Sequence, residues 1–258
     1  MNIVGLPALI GTYDNYIWIM HDAHQAWIID PGESSQVIDY LNKNQLTAKG
    51  ILITHQHGDH VNGIENILSH FPHTTVYGPA KANHSSIQVK CKEGDIVTLT
   101  DDVQLTVLDT PGHTKDHIAF YNDTLLFCGD TLFTAGCGRV LGGTVEQFSE
   151  SILKLRNLPD NLAFYCAHEY TNTNLTFAKL VEPQNNDLQK RIELTHINYP
   201  SILKEPQSTL GEEKATNPFL RFDTAELKRK LVERGASENA SSLFATLREW
   251  KDEFDRQN

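Results

Sequence analysis

The sequence predicts an α/β protein in which helices cover sheets, followed by a C-terminal helical domain. In the first two thirds of the chain, short runs rich in Val, Ile, Thr and aromatic residues alternate with turn residues and a few helical segments. From about residue 172 onward, apolar residues recur with helical periodicity, and prolines separate the segments. A chain of 258 residues is long enough for both parts. We therefore expect one domain over residues 1–171 and a second, helical domain over residues 172–258.

The apolar runs and the amphipathic segments predict the individual elements in chain order. Helices in the first domain are expected over residues 34–44, 63–71 and 145–155, and Thr144 is placed to cap the last of them. Strands are expected at residues 15–20, 26–30, 50–54, 74–78, 95–99, 103–109, 117–121, 124–128 and 162–166. Helices of the second domain are expected at residues 174–183, 187–197, 224–235 and 238–254, with no strand among them.

Charge and composition argue against several classes of protein. A formal net charge of −11 disfavours binding to a nucleic-acid phosphate backbone, which normally requires a basic face. The same charge is compatible with an anionic small molecule, because a few cations can cluster locally. No apolar run approaches the length of about 18 residues that a membrane span requires, and no secretory signal is evident. The four cysteines lack C-x-x-C spacing, so we expect buried free thiols in a cytoplasmic protein.

Four of the predicted strands end in histidine or aspartate beside a small or turn-forming residue. Loops at the edge of a sheet can bring residues that are distant in sequence to a single point. Such an arrangement is typical of a metal centre assembled on a scaffold. The four stretches are ILITHQHGDH at 51–60, LTVLDTPGHT at 105–114, LLFCGDTLF at 125–133 and FYCAHEYT at 164–171.

The first stretch has the spacing of a metal site. In an extended segment, His55 and His57 point to the same side because side chains alternate with a period of two. Gly58 permits a tight turn, so that Asp59 and His60 can face the same pocket from another direction. An H-x-H-x-D-H pattern at the end of a strand is therefore better explained by metal binding than by a polar loop.

Together the stretches supply five histidines and two aspartates as candidate ligands. Seven ligands are too many for one tetrahedral ion and suit two ions that share a bridge. Nitrogen and oxygen ligands without sulfur fit zinc best, with iron or manganese as alternatives. We assign Asp130 as the bridge, because the two oxygens of a carboxylate can span two ions. The first ion is assigned His55, His57 and His113, and the second Asp59, His60 and His168.

Other residues of the same types are expected to be structural. Cys128 and Cys166 adjoin two of the stretches but are expected to face the core, because free cysteine behaves as a small hydrophobe. Asp30 is either a turn residue or a partner that orients a ligand histidine. A purely structural zinc site is the alternative of a different class, but such sites usually have four closed ligands rich in cysteine. The histidines assigned to structural roles are His21, His24, His70, His73, His84, His117 and His196.

With these motifs in place, the chain resembles the metallo-β-lactamase superfamily and, more narrowly, the glyoxalase II (hydroxyacylglutathione hydrolase) family. The hexad HQHGDH and the later TPGHT, GDTLF and HEYT stand in the order of that superfamily. The stretches DNYIW, DPG, AGCGR, AHEYT, NPFLR and LREWKDEF match the narrower family over nearly the whole chain. The resemblance implies a four-layer αββα sandwich with a binuclear metal site at its edge, followed by a helical domain that helps to hold glutathione.

By position, the resemblance also implies glutathione contacts at Arg139, Tyr170, Arg248 and Lys251. Where some family members have Lys followed two places later by Tyr, this chain has Arg139 and Leu141, which removes a phenolic hydrogen bond. Spacing alone places Arg248 and Lys251 on one face of a predicted helix. The alternative for that pair is a solvated basic edge of an amphipathic helix.

The resemblance implies hydrolysis of S-(2-hydroxyacyl)glutathione, such as S-lactoylglutathione, to a 2-hydroxy acid and glutathione, the second step of methylglyoxal detoxification. A water between two dications would ionise near neutral pH and attack the thioester carbonyl, with Asp59 and Asp130 at the catalytic centre. The alternatives among enzymes are another hydrolase or thioesterase of the superfamily, or a persulfide dioxygenase with one iron and fewer ligands. We expect a small-molecule substrate, no nucleic-acid or membrane partner, and a monomer.

Overall fold

The computed structural model describes residues 1–257 and contains two six-stranded sheets. The strands of the first sheet, in spatial order, are β1 (Asn2–Ala8), β2 (Asn15–His21), β3 (Gln25–Ile29), β4 (Thr47–Leu52), β5 (Thr75–Pro79) and β6 (Val89–Cys91). The first three strands pair antiparallel, and β3 to β6 pair in parallel.

The second sheet brings three strand ends to one edge. Its strands are β7 (Ile96–Thr100), β8 (Val103–Asp109), β9 (Ile118–Tyr121), β10 (Leu125–Phe127), β11 (Ala163–Tyr165) and β12 (Ser208–Thr209). Because β9 is antiparallel to both β8 and β10, and β11 is parallel to β10, the strands β8, β10 and β11 run in the same direction. Their carboxyl ends therefore leave the sheet together.

Ten helices are found among residues 1–257. They are α1 (Ser35–Lys43), α2 (Gly58–Val61), α3 (Ile64–His70), α4 (Val145–Arg156), α5 (Thr171–Val181), α6 (Asn186–Leu194), α7 (Leu210–Thr216), α8 (Pro218–Arg221), α9 (Ala225–Glu233) and α10 (Ala240–Asp255). The Thr144 side chain accepts a hydrogen bond from the N–H of Gln147 and forms a capping box at the start of α4. The predicted N-cap is thereby confirmed.

The sheets pack face to face, and helices cover both outer faces. The apolar layer between the sheets includes Trp18 and Trp27 from the first sheet and Phe120 and Phe127 from the second. Each such side chain contributes on the order of 2 kcal/mol when it is removed from water. Helices α1 and α3 pack on the outer face of the first sheet, and α4 packs with the C-terminal helices on that of the second. The predicted α/β class and its four layers are confirmed.

The strands β1, β6 and β12 lack the run of apolar or β-branched residues that predicts a strand from sequence. The interior of β1 contains Gly5 and Pro7, which disfavour a strand, but β1 lies at the sheet edge, where proline is tolerated. A Cβ at Gly5 would lie 2.7 Å from the Trp18 ring, so glycine is required there. The strands β6 and β12 are only three and two residues long. The expectation of no strand beyond residue 172 is wrong, because β12 pairs with β11.

Polar side chains from the C-terminal helices hold the loop that follows β10. Glu213 accepts a hydrogen bond from the N–H of Ala135 at 2.9 Å, and the Asn217 amide donates to the carbonyls of Phe133 and Gly136 at 3.0 Å each. Ala135 has a φ of +55°, a left-handed conformation that costs roughly 1–2 kcal/mol in a residue with a Cβ. The loop therefore depends on the helices for its shape.

The four cysteines are free and buried, as expected from their spacing. Cys128 and Cys166 lie in the apolar layer outside the second sheet, which confirms that they face the core. None of the helices formed by residues 1–257 is long and apolar enough to cross a bilayer.

The replacement Arg191→Ala is expected to lower the free energy of unfolding by about 3 kcal/mol, because the fully buried Glu213 would lose its cationic partner. Lys190→Ala is the matched control, since that side chain is 73% exposed and lies 3.6 Å from Asp187. Its loss should stay below about 1 kcal/mol. Urea unfolding followed by circular dichroism measures both changes. Equal losses in the two variants would contradict a stabilising role for the buried pair.

Candidate metal centre

The ends of four strands meet at one point on the edge of the sandwich. Strand β4 of the first sheet leads into residues 55–60, whereas β8, β10 and β11 of the second sheet lead to His113, Asp130 and His168. The four strand ends belong to two different sheets. The site therefore lies where the two sheets meet.

The first group of candidate ligands consists of three histidines. The Nε2 atoms of His55 and His113 each lie 3.0 Å from the Nδ1 atom of His57. The three rings are set edge to face, with centroids 4.7–4.9 Å apart. Three ring nitrogens thus converge on one point, as a metal ion requires.

The second group combines a carboxylate with two histidines. The Oδ2 atom of Asp59 lies 3.3 Å from Nε2 of His60 and 3.5 Å from Nε2 of His168. Residues 58–61 form the short helix α2 instead of the expected isolated turn, with His57 at its N-cap position. The helix turns Asp59 and His60 toward the side chain of His168.

The carboxylate of Asp130 lies between the two groups. Its Oδ2 atom is 3.3 Å from Nε2 of His113 in the first group. Its Oδ1 atom is 3.4 Å from Nε2 of His60 and 3.1 Å from Nε2 of His168 in the second group. One oxygen faces each group, which is the arrangement that a bridging ligand would have.

Backbone carbonyls orient two of the histidines. The Nδ1 atom of His113 donates a hydrogen bond to the carbonyl of Arg139 at 2.8 Å, and Nδ1 of His168 donates to the carbonyl of Tyr13 at 2.7 Å. Because a carbonyl can only accept, the proton of each neutral ring lies on Nδ1 and the lone pair on Nε2. Both lone pairs therefore face the cluster.

Asp30 orients a third histidine. Its Oδ2 atom lies 3.2 Å from Nδ1 of His60 and accepts a hydrogen bond from the Thr54 hydroxyl at 2.7 Å, while Oδ1 accepts from the Thr54 N–H at 2.8 Å. Asp30 is buried. Of the two roles that the sequence left open for Asp30, the structure favours that of an orienting partner.

The electrostatics of the cluster suit divalent cations. Burial lowers the pKa values of His55 and His113, which keeps their rings neutral. Burial would also lower the pKa of His60, but the carboxylates of Asp130 and Asp30 outweigh it and raise that pKa well above its ordinary value. The buried atoms His60 Nε2 and Asp130 Oδ1 have no hydrogen-bond partner in the described structure. Unpaired nitrogen and carboxylate donors facing one point fit metal ions.

Two residues that sequence reasoning left outside the site hold its aspartates. The N–H of Asp130 donates to Nε2 of His117 at 3.0 Å, and the His117 ring stacks on that of His55 with centroids 4.8 Å apart. The Asn15 amide donates to the carbonyl and to Oδ2 of Asp59, both at 3.2 Å. His117 is thus a satisfied core histidine, as expected, but one that fixes the turn of a candidate ligand. Asn15 lies in the DNYIW stretch that resembles the family, but its spacing does not indicate the contact with Asp59.

A cavity and a groove adjoin the cluster. The cavity, of 210 Å³, lies over the candidate ligands, and the groove, of 350 Å³, extends to α10. The two spaces adjoin each other, because both are lined by Phe133, Gly138, Arg139 and Tyr170. The groove brings together all four side chains expected at a substrate: Arg139, Tyr170, Arg248 and Lys251.

The two basic residues of α10 are buried and line the groove but not the cavity. Arg248 and Lys251 are 5% and 4% exposed, so the alternative of a solvated basic edge is wrong. Arg248 donates to the carbonyl of Cys137 at 2.9 Å and to Asp252 at 3.0 Å, and Lys251 pairs with Asp255. Burial lowers the pKa of Lys251, although the Asp255 carboxylate opposes this.

Family comparisons cover almost the whole chain. Residues 10–168 match the metallo-beta-lactamase superfamily, and residues 169–254 match the hydroxyacylglutathione hydrolase C-terminus. Among solved structures, the fold is similar to that of ETHE1 from Myxococcus xanthus, with a TM-score of 0.64, 23% identity and coverage of 96% of this chain and 97% of that one. At this identity, the likeness concerns the fold alone.

Full-length relatives narrow the assignment. The chain is 45% identical to the hydroxyacylglutathione hydrolase of Hydrogenovibrio crunogenus, over 100% of this chain and 97% of that protein. It is 41% identical to the hydroxyacylglutathione hydrolase of Vibrio parahaemolyticus, over 98% of this chain and 100% of that protein. The chain is therefore a metal-dependent hydrolase that belongs to the hydroxyacylglutathione hydrolase family of the metallo-β-lactamase superfamily.

Proposed function

We propose that this protein hydrolyses S-(2-hydroxyacyl)glutathione thioesters, such as S-lactoylglutathione, to a 2-hydroxy acid and glutathione. The observation that carries this proposal is the groove that leads from the histidine and aspartate cluster to the buried cations of α10. A thioester lying over the cluster can extend the anionic glutathione half toward Arg248 and Lys251. The names of the relatives that match over their full length support the same activity.

Seven side chains are our proposed ligands for two divalent cations. When bound, such ions supply the Lewis acidity that activates water and polarises a thioester carbonyl. Zinc fits the nitrogen and oxygen donors best, and iron or manganese also accept them. We assign His55, His57 and His113 to one ion, Asp59, His60 and His168 to the other, and Asp130 to both.

Asp59 and Asp130 are the aspartates that we place at the catalytic centre. Asp130 sets the separation of the two ligand groups, because its oxygens face one group each. Asp59 lines the cavity and is 14% exposed, so it can accept a hydrogen bond from the attacking water. Phe133 and Tyr170 line the cavity, beside the position that the reacting carbonyl would take over the cluster. The leaving group is a thiolate. Because ordinary thiols have a pKa of about 8.5, the thiolate can depart without protonation by a strong acid.

Three further features support the remaining parts of the proposal. A dioxygenase with one iron would use fewer ligands than the seven side chains that converge here, so hydrolysis is favoured. The four free thiols fit a reducing compartment, which supports a cytoplasmic location. The cluster and the groove come from a single chain, which supports activity as a monomer.

The replacement Asp130→Asn is expected to remove at least one metal ion per chain and to lower kcat at least about a hundredfold, because the bridge loses its charge. Elemental analysis gives the metal content, and release of free thiol from S-lactoylglutathione gives turnover. Asp187→Asn, at a side chain that is 67% exposed, is the matched control and should keep both values. An Asp130→Asn protein with two metals and full turnover would contradict the bridge.

The replacement Lys251→Met is expected to raise KM for S-lactoylglutathione roughly tenfold with little change in kcat, because the ammonium would contact a part of the substrate remote from the reacting carbonyl. Methionine keeps an apolar stem against the rings of Phe177 and Phe254. Arg248→Met should have the same effect, and Lys190→Met, on an exposed face of α6, should have none. A change confined to kcat would rule out the glutathione contact.

A further inference from the structure

The groove contains one anion among several cations. Of the residues that the structure describes, four cationic side chains and a single carboxylate line this space. The cations are Arg139, Arg248, Lys251 and Arg256, and the carboxylate is that of Asp255. An anion in a groove that receives the anionic half of a thioester opposes binding, so the presence of Asp255 there requires an explanation.

Asp255 contacts both of the buried cations of α10. Its Oδ1 atom forms an ion pair with Nζ of Lys251, and its Oδ2 atom lies 3.6 Å from Nη2 of Arg248. A ligand carboxylate held by both cations would have the same arrangement, with one oxygen facing each of them. The side chain of Asp255 is 30% exposed, against 6% for each cation, so Asp255 is the member of this group that solvent reaches most readily.

Lys251 depends on Asp255 for its ionic partner, whereas Arg248 does not. Arg248 also donates a hydrogen bond to Asp252 at 3.0 Å, and Asp252 does not line the groove. Among residues 1–257, Asp255 is the one carboxylate that forms an ion pair with Lys251. When Asp255 moves away, the Lys251 ammonium therefore lacks a counter-ion unless a ligand provides one.

The position of Asp255 is unfavourable for α10 itself. Asp255 is the last residue of this helix, and the last turn contains no basic side chain. An anion at this end is repelled by the partial negative charge of the free carbonyls. The pair with Lys251 also has the weaker order, since an acid four positions after a lysine stabilises a helix less than an acid four positions before it. The contacts in the groove therefore explain Asp255 better than helix formation does.

We propose that Asp255 competes with a carboxylate of the glutathione half for Lys251 and Arg248, an inference that rests on the proposed function. In the empty groove, Asp255 is the partner of both cations, and an entering ligand carboxylate takes its place. The glycine end of glutathione carries a carboxylate alone, whereas the γ-glutamyl end also carries an ammonium, so two cations favour the glycine end. The competition weakens binding of the thioester and of the glutathione product to the same degree, because both carry this carboxylate.

The first test is the replacement Asp255→Asn, which removes the competing charge but keeps an oxygen that can accept a hydrogen bond from Lys251. KM for S-lactoylglutathione and the inhibition constant of free glutathione are each expected to fall roughly fivefold, with kcat little changed. The matched control is Glu253→Gln, because Glu253 lies on the same helix but pairs with Arg234, outside the groove. Its two constants should stay within about twofold of the original values. An unchanged or raised KM in Asp255→Asn would overturn the competition.

A second test identifies the part of the ligand that competes with Asp255. The ratio of kcat/KM for S-lactoylglutathione to that for its glycine-amide analogue is measured in the unmodified protein and in Asp255→Asn. Because the analogue carries no charge at that end, the ratio should rise roughly fivefold in the variant. An equal gain for both thioesters would indicate a general effect of charge and would overturn the proposal.

Calorimetric binding of free glutathione separates this inference from the proposed function. Tighter binding of glutathione by Asp255→Asn would support the competition even if neither protein hydrolysed a glutathione thioester, an outcome that would refute the proposed function alone. Hydrolysis by both proteins with equal affinity for glutathione would overturn the competition and leave the proposed function intact.

Discussion

The buried carboxylate of Asp130 is the constraint on which the site depends. Its side chain is 8% exposed, and an isolated anion at such a depth costs several kcal/mol unless cations or metal-bound groups offset it. The turn that presents Asp130 contacts both sheets. His117, which directly precedes β9, accepts the N–H of Asp130, and a Cβ at Gly129 would lie 2.5 Å from the hydroxyl of Thr54, which follows β4. Gly129 also has a φ of +50°, so both the lack of space and the left-handed backbone exclude a larger residue at this position. The packing of the two sheets against each other therefore also fixes the position of the Asp130 carboxylate.

The C-terminal helices set the distance between the cluster and the groove. Glu213 and Asn217 fix the loop after β10 from one side. The same loop, a few residues further on, offers the carbonyl of Cys137 to Arg248 from another helix. Because Asp130 stands at the beginning of this loop, the separation between the reacting centre and the basic end of the groove is set by a short, well-supported segment. The helices thus complete the site as well as covering the second sheet.

The sequence could predict the parts of this arrangement that depend on local pattern, and it failed where partners are distant. His55 follows an apolar run directly, so the rule that ligands follow strand ends could locate it. The Asn15 side chain reaches Asp59 from the start of β2, 44 positions away, and the spacing of the neighbouring residues does not indicate this contact. Arg248 has the spacing of a polar helix face, and it is buried because the loop at Cys137, 111 positions away, covers it. Burial of a charge is a tertiary property, which helical periodicity cannot reveal.

The cluster presents carboxylates that attract cations, whereas the groove presents cationic side chains. This local separation explains how an acidic chain can hold an anionic substrate. In the cluster, the carboxylates of Asp130 and Asp30 raise the pKa of His60 well above its ordinary value, and the same negative charge would attract a divalent ion. In the groove, Arg248 and Lys251 already have Asp252 and Asp255 as partners, and Arg139 lies 3.5 Å from Asp252. The Asp255 carboxylate partly offsets the lowering of the Lys251 pKa by burial. An entering carboxylate exchanges one anionic partner for another, so its net gain is the difference between two similar pairs.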